Sequence, residues 1–396
     1  MFEKIETRPP DSIFGLIESF KQDSRDEKVN LSVGVYQDEA GKTPLMKCVA
    51  EAEKILLDQK ASKSYLPIDG HGTYNGLIGN LILGDELGGR SDVHSVTAQT
   101  PGGTAALRVA GELLQRIFNV PEVWISNPTW ANHRQIFDRV GLNVKQHDYL
   151  DERGTGLDFD RMMASLESAA EGSGLLLHTV CHNPSGVDLD TPQWQAISKL
   201  IKEKSLIPVF DFAYQGFGAD VEADAAPIRQ FCGAGGEALI CNSFSKNFGL
   251  YGERVGGISA VSNTEQGATA ILSQIKSTIR TMYSNPPLHG ASIVKTVLDD
   301  GTLRKMWIDE LAEMRERIIQ LRADFVQRID RLTPEYDFGY INRQRGMFSY
   351  SGLSKDLVDR LRENHGIYAL GSGRINIAGL NASNMDRICQ AIAVVM

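Results

Sequence analysis

Cysteine, long apolar runs and surplus positive charge are all scarce in this 396-residue chain. Its five cysteines, Cys48, Cys181, Cys232, Cys241 and Cys389, are scattered, odd in number and without CxxC spacing. That argues against a disulfide scaffold and fits reduced thiols in a cytosolic protein, with a single reactive thiol as the other reading. No apolar stretch approaches the roughly 18 residues that mark a membrane-spanning helix. The opening MFEKIETRPPDSIF puts acids and prolines where a signal peptide needs a basic and then an apolar run, so a soluble, cytoplasmic protein is expected. With 41 Lys and Arg against 50 Asp and Glu, the net charge of −9 repels a polyanion, which argues against nucleic acid as a partner.

What is present reads as globular. The chain is 42% hydrophobic and 23% charged, and at about 150 residues per domain its length suggests two or three domains. Pro9 and Pro10 cannot both sit inside a helix, so the residues before about position 12 read as an extended arm of the kind that packs on a neighbour. From Val96 onward, short apolar runs alternate with helical patterns: VWIS at 123–126, GLLLHTV at 174–180, IPVFDF at 207–212 and ALICNSF at 238–244. This alternation predicts a mainly parallel sheet covered by helices. Ala106, Ala110, Leu113 and Ile117 mark the inward face of a helix over 105–118. Near the C-terminus, Leu357 and Leu361 suggest a helix ended by Gly366, followed by IYAL and INIAGL as strands. Ser383 and Asp386 resemble a capping box opening a last helix that carries Met385, Ile388, Ile392 and Val395.

The chemistry concentrates in SFSKNFGLYGERVGG at 243–257, where Ser243 and Ser245 flank a strand-to-loop step, Lys246 follows and Arg254 stands eight residues on. A lysine amine beside hydroxyls and a guanidinium suits an aldehyde cofactor bearing a phosphate, because nearby positive charge lowers the amine toward its reactive neutral form. A lone lysine would otherwise be a solvated surface residue. Asp211 ends an apolar run, with Tyr214 three residues on, where α/β folds place ligands. A carboxylate there can hold a pyridine nitrogen protonated, and a helix cap is the bland alternative. Gly102, Gly103 and Thr104 precede a helix whose free N–H groups suit phosphate, a signal that gains force only beside Lys246. His178 and His182 have i, i+4 spacing, but they lie on strand-like sequence ending in Asn-Pro with no accompanying glutamate, so no metal site is expected. Trp130, three residues before His133, offers a face that could stack on a cofactor ring or pack in the core.

Taken together, NPTWANH, CHNPSG, DFAYQGF, SFSKNFGLYGERVGG, YSNPP, RGMFSYSGL and SGRINIAG resemble, in order and over essentially the whole chain, the aspartate and aromatic amino acid branch of the fold-type I aminotransferases. The resemblance implies an α/β fold of that type, with a mainly parallel sheet between helices in a large domain and a smaller α+β domain. The expected boundaries are an arm at 1–12, small-domain parts at 13–44 and 313–396, and a large cofactor-binding domain at 45–312. It implies pyridoxal 5′-phosphate held as a Schiff base on Lys246, with Asp211 on the pyridinium nitrogen and Asn183 and Tyr214 on the phenolic oxygen. Trp130 would cover the ring, and His133 and His178 would support it from behind. Gly103, Thr104, Ser243, Ser245 and Arg254 would hold the phosphate, with Tyr65 reaching in from the second subunit of a homodimer.

For the substrate, the resemblance implies that Arg374 grips the α-carboxylate in a bidentate fork, Gly34 contacts it through backbone, and Arg280 of the other subunit faces the distal carboxylate. Trp130 and Asn183 would also touch it. The implied reaction is ping-pong transamination between L-aspartate and 2-oxoglutarate, with aromatic amino acids as alternative donors and a non-catalytic ligand-binding relative as the reading from another class. Val35, Thr43, Thr104 and Asn285 look like the aspartate members, whereas Gln37 and Ser64 match neither subgroup. Ser185 replaces the usual threonine of HNPTG, where altered local packing is expected.

Overall fold

A run of fully buried strands organises the chain. In the computed structural model, which describes residues 2–7 and 12–396, seven strands form one sheet. Their order is His94–Thr100, Gly256–Ser262, Ala238–Ser243, Ile207–Phe212, Gly174–His178, Val123–Asn127 and Val144–Asp148. Only Gly256–Ser262 runs against its neighbours; the other pairings along the sheet are parallel. Ala238–Ser243 and Gly256–Ser262 are buried at every position, as expected of strands covered by helices on both faces. Val144–Asp148 closes one edge, and the next strand, Gly174–His178, joins the other side of Val123–Asn127. The strand order therefore reverses there, which opens a crevice at the carboxyl ends of the strands.

The helix expected over 105–118 spans Gly103–Arg116, and its buried side carries Ala106, Ala110 and Leu113 as anticipated, but Ile117, expected on the same face, caps the helix end and is exposed. A second assembly uses both chain ends. Val29–Asn30 pairs in parallel with Ile367–Tyr368, and Phe348–Tyr350 pairs antiparallel with Arg374–Asn376. The helices Lys355–His365 and Met385–Val395 pack beside them. The 32-residue helix Gly301–Leu332 links the two assemblies. Near its start Trp307 stacks on Phe248 at 4.7 Å, and its later turns pack on Met385–Val395. The domain boundary expected at 312 thus falls inside one continuous helix.

Local differences have physical causes. The capping box expected from Ser383 and Asp386 does not form: the last helix begins after Asn384, without a side-chain cap. Asn381 Oδ1 instead accepts from the Ser383 and Asn384 N–H groups and from the Ser383 hydroxyl. INIAGL is strand only through Asn376 and then tightens into a 3₁₀ turn at Ile377–Gly379. The helix at 355–365 does end on Gly366, in the left-handed conformation at φ +66°. Pro9 and Pro10 of the expected arm lie outside the described residues, and Phe2 and Ile5 are exposed. Among the described residues no helix is long and apolar enough to cross a membrane, and all five cysteines are free and buried.

Candidate active site

The crevice at the strand ends is a cavity of about 570 Å³. Its floor is built by residues at the ends of two neighbouring strands. Asp211 and, just beyond Phe212, Tyr214 come from the strand Ile207–Phe212; Ser243 ends the strand Ala238–Ser243, and Ser245 and Lys246 follow it. Trp130 and Asn183 come from the loops after Val123–Asn127 and Gly174–His178. Gly34 and Arg374 close the cavity from the smaller assembly. Sequence neighbours that looked unrelated thus meet because parallel strands carry their loops to one edge.

Asp211 is buried, and its Oδ2 lies 2.9 Å from His133 Nε2. On the other side of that imidazole, Nδ1 lies 2.8 Å from Thr129 Oγ1, which fixes the ring. Burial alone would push the Asp211 carboxyl up. The His133 hydrogen bond and the charges of His133, His178 and Lys246 outweigh it, so the carboxyl sits below its usual range. Burial drives His178 down to about 3 and His182 well below its usual value. His133, His178 and Asp211 offer three ligand atoms within 4.8 Å of one another. The 2.9 Å contact between two of them is a hydrogen-bond length, and the triad reads as a device for orienting Asp211.

Lys246 projects into the cavity with Nζ 4.6 Å from the Tyr214 ring centroid. Burial lowers its amine to about 8, Asp211 pulls it up, and Arg254 and Arg374 push it down. Arg374 is 2% exposed and, among the described residues, has no carboxylate within salt-bridge distance. Its Nη2 donates to Ser32 O at 2.5 Å and its Nη1 to Asn183 Oδ1 at 3.2 Å, while its Nε is buried without a partner. Burial lowers the guanidinium to about 10, where it stays cationic near neutrality. A buried guanidinium with an unsatisfied donor is a receptor for a carboxylate.

A separate cradle lies at the amino end of Gly103–Arg116, where no side chain caps the helix. Ser243 Oγ donates to Ser245 Oγ at 3.2 Å, and Arg254 Nη1 donates to the same oxygen at 3.3 Å. Gly102 has φ +79°, and a Cβ there would meet Arg254 Nη2 at 2.6 Å. The glycine therefore lets the guanidinium close over the helix end, beside Gly103 and Thr104. Hydroxyls, a cation without a carboxylate partner and a free helix end make a phosphate-type donor set.

Two expected residues are not in this cavity. Tyr65 is 94% exposed, and Arg280 is exposed with Nη1 donating to Ser284 Oγ at 2.6 Å. They line a different cavity of about 860 Å³, with Ser64 and Asn285. Sequence reasoning singled out neither Tyr251 nor Phe348, both of which line the first cavity. Phe348 lies 4.1 Å beneath the Arg374 guanidinium, and the Tyr251 hydroxyl accepts from the Tyr36 N–H at 2.9 Å. Both stand within quoted motifs, yet only their spatial neighbours reveal their place. Ser185 is buried, its hydroxyl 2.7 Å from His182 Nδ1 and accepting from the Val187 N–H. The hydroxyl that distinguishes serine from alanine is therefore used.

The sheet order, the second assembly and the lysine-bearing crevice define fold type I of the pyridoxal-phosphate-dependent enzymes. Residues 26–392 match the family model for aminotransferase class I and II, and the chain belongs to that family. It is 46% identical over 396 residues to an aspartate aminotransferase of Salmonella typhi, covering 100% of both chains. It is 45% identical over 397 residues to an aromatic-amino-acid aminotransferase of Escherichia coli (strain K12), again with full coverage of both. The crystal structure of an aromatic-amino-acid aminotransferase from Burkholderia pseudomallei covalently bound to pyridoxal phosphate superposes with a TM-score of 0.97. That protein shares 46% sequence identity, with 100% of this chain and 99% of that chain covered.

Proposed function

We propose that this aminotransferase uses pyridoxal 5′-phosphate, bound covalently to Lys246, to exchange amino groups between L-aspartate and 2-oxoglutarate in a ping-pong cycle. The observation that carries the reading is the meeting of an amine lowered to about 8, a buried carboxylate and a buried guanidinium with a free donor around one cavity. The donor set fits the cofactor: Ser243, Ser245, Arg254, Gly103 and Thr104 offer a phosphate cradle, and Asp211 offers an anion for a pyridinium. The cofactor supplies an aldehyde for imine exchange and a ring that withdraws electrons from the substrate Cα. Tyr214 and Asn183, which line the same cavity, would hold the ring oxygen, and Trp130 would cover the ring's face. Arg374 and the backbone of Gly34 hold the substrate α-carboxylate. Lys246 Nζ would take the Cα proton and pass it to the cofactor's C4′ carbon, acting as general base and then acid, and would run the same transfer in reverse with the second substrate.

Arg280 and Tyr65 complete the site from the second subunit of a homodimer. Their exposure in a separate cavity and the exposed Phe2 and Ile5 support this reading. The free, buried cysteines fit a cytoplasmic setting. The test is a mixed dimer of one Lys246→Ala subunit with one Arg280→Ala subunit. One of its sites then has an intact Lys246 and an intact Arg280, and that site transaminates aspartate normally. The Lys246→Ala and Arg374→Ala mixture leaves one defect in each site and restores nothing. Absence of rescue in the first pair, with heterodimers verified, refutes the shared site.

Aromatic amino acids are the second reading, because relatives with either name stand at 45–46% identity. Val35, Thr43, Thr104 and Asn285 favour aspartate. Comparing kcat/KM for aspartate, tyrosine and phenylalanine decides between them, and a clear excess for the aromatic donors overturns the aspartate reading.

A further inference from the structure

A second cavity, of about 660 Å³, opens on the far side of the hinge between the two assemblies. One wall is the loop at 217–219, three residues beyond Tyr214. A second is the face of Gly301–Leu332 that carries Arg315, Ile318 and Arg322, and a third is the segment 342–346. Four arginines line it, Arg315, Arg322, Arg343 and Arg345, and no acidic residue does. Among the described residues none of the four has a carboxylate within 4.0 Å. Asp188 acts electrostatically on Arg322 and Arg345 without lining the cavity, so the four guanidinium groups face this space with no carboxylate in direct contact.

The nearest buried carboxylates are already committed. Asp224 accepts from the N–H groups of Gly216, Gly218 and Ala219 at 2.8, 3.0 and 2.8 Å. Asp188 accepts from the N–H groups of Cys181 and His182, both at 2.8 Å. Neither lines the cavity. Arg322, 3% exposed, is anchored as a fixed floor: Nη2 donates to Gly346 O at 2.6 Å and Nε to Ser349 Oγ at 3.3 Å. Arg315 Nη1 donates to Gly216 O at 2.9 Å. Arg343 and Arg345 are exposed at the rim, with no side-chain hydrogen bond among those observed.

We propose that this cavity is a second binding site, for a small organic di- or triphosphate. Planar guanidinium forks match phosphate oxygens two at a time, and four of them balance the charge of such a chain. Phe217, Ile318 and Ile319 give an apolar wall for the attached organic group, and the volume is that of a small-molecule site. The site's walls run close along the chain to the catalytic cavity: Gly346 stands two residues before Phe348 and Phe217 three after Tyr214. Arg322 holds the backbone of the strand whose Phe348 lies under Arg374, and Phe348 packs edge-on against Tyr214 at 6.1 Å. A ligand that draws the rim onto Arg322 therefore bears on the two residues that face the substrate carboxylate and the cofactor.

The test is calorimetric titration of the cofactor-saturated enzyme with inorganic triphosphate, in phosphate-free buffer. One saturable site per chain is expected. The double variant Arg343→Gln, Arg345→Gln removes only exposed side chains, and it should weaken binding at least tenfold while leaving transamination intact. Arg374→Ala should bind triphosphate as the native enzyme does. No saturable binding, equal affinity in the rim double variant, or loss of binding in Arg374→Ala, which would place the ion in the catalytic cavity, each overturns the proposal.

Discussion

The titration of Lys246 in cofactor-free protein gives the sharpest test of the catalytic cavity. An ordinary lysine, near 10.4, is only about 0.1% neutral at pH 7.5. Burial lowers this amine to about 8, where about a quarter of it is neutral at the same pH, a gain of roughly 200-fold in the nucleophilic form. Two neighbours act in opposite directions. Asp211 favours the ammonium and Arg254 opposes it, so Asp211→Asn lowers the midpoint and Arg254→Gln raises it. Competitive acylation over a pH series, with the peptide containing residue 246 quantified by mass spectrometry, reads the midpoint directly. A native midpoint near 10, or an upward shift in Asp211→Asn, refutes the electrostatic account. The same shift sets a stability trend. The unfolded chain binds more protons at this group between about pH 8 and pH 10.5, so its contribution to stability rises with pH across that window and the full penalty holds below it.

Borohydride reduction of the native enzyme followed by peptide mapping should label Lys246, and a label on any other lysine removes its assigned role. Gly102→Ala puts a Cβ 2.6 Å from Arg254 Nη2 at φ +79°; absorbance titration should show at least tenfold weaker cofactor binding, and unchanged affinity argues against the cradle. His133→Phe removes the hydrogen bond that holds the Asp211 carboxyl low. The acid limb of the kcat pH profile should therefore move to higher pH, and a profile that does not move assigns His133 to packing alone. Trp307→Ala empties a fully buried site and frees the Asn247 carbonyl. Urea unfolding should show a loss of about 3–5 kcal/mol, and a loss under 1 kcal/mol denies Trp307 its place in the core.

Four of the seven strands of the large sheet were legible because they are short and apolar, whereas His94–Thr100 and Val144–Asp148 are polar and partly exposed and Gly256–Ser262 is glycine- and serine-rich. Periodicity cannot mistake IPVFDF or ALICNS for an amphipathic helix, and both are buried throughout, apart from partial exposure at Ile207. The cluster around Lys246 was legible for a different reason: Ser243, Ser245, Lys246 and Arg254 lie within twelve residues, so local order already brings them to one cavity. Asp211 was harder. Its bland alternative as a helix cap is removed only by the contact with His133, which lies 78 residues earlier and arrives through a neighbouring strand.

What stayed hidden depended on competition between partners and on distance along the chain. Ser383 and Asp386 have the spacing of a capping box, but Asn381, two residues upstream, accepts the Ser383 N–H at 3.0 Å and the Ser383 hydroxyl at 2.7 Å, and the helix starts at 385. Spacing cannot rank two acceptors that reach the same donor. Phe348 and Arg374 stand twenty-six residues apart, and they meet because Arg374 pairs opposite Tyr350 across two antiparallel strands. That pairing also decides where Arg374 points. With Ser32 and Asn183 holding two of its nitrogens, the third is buried without a hydrogen-bond partner among the described residues. The same logic explains Arg280. Its motif marks it as a binding residue, yet within one chain it reaches only Ser284 and opens on a different cavity. A distal carboxylate held by Arg374 at its other end therefore meets no second guanidinium in an isolated subunit. On the shared-site reading proposed above, dicarboxylate specificity would arise only where a partner subunit supplies Arg280.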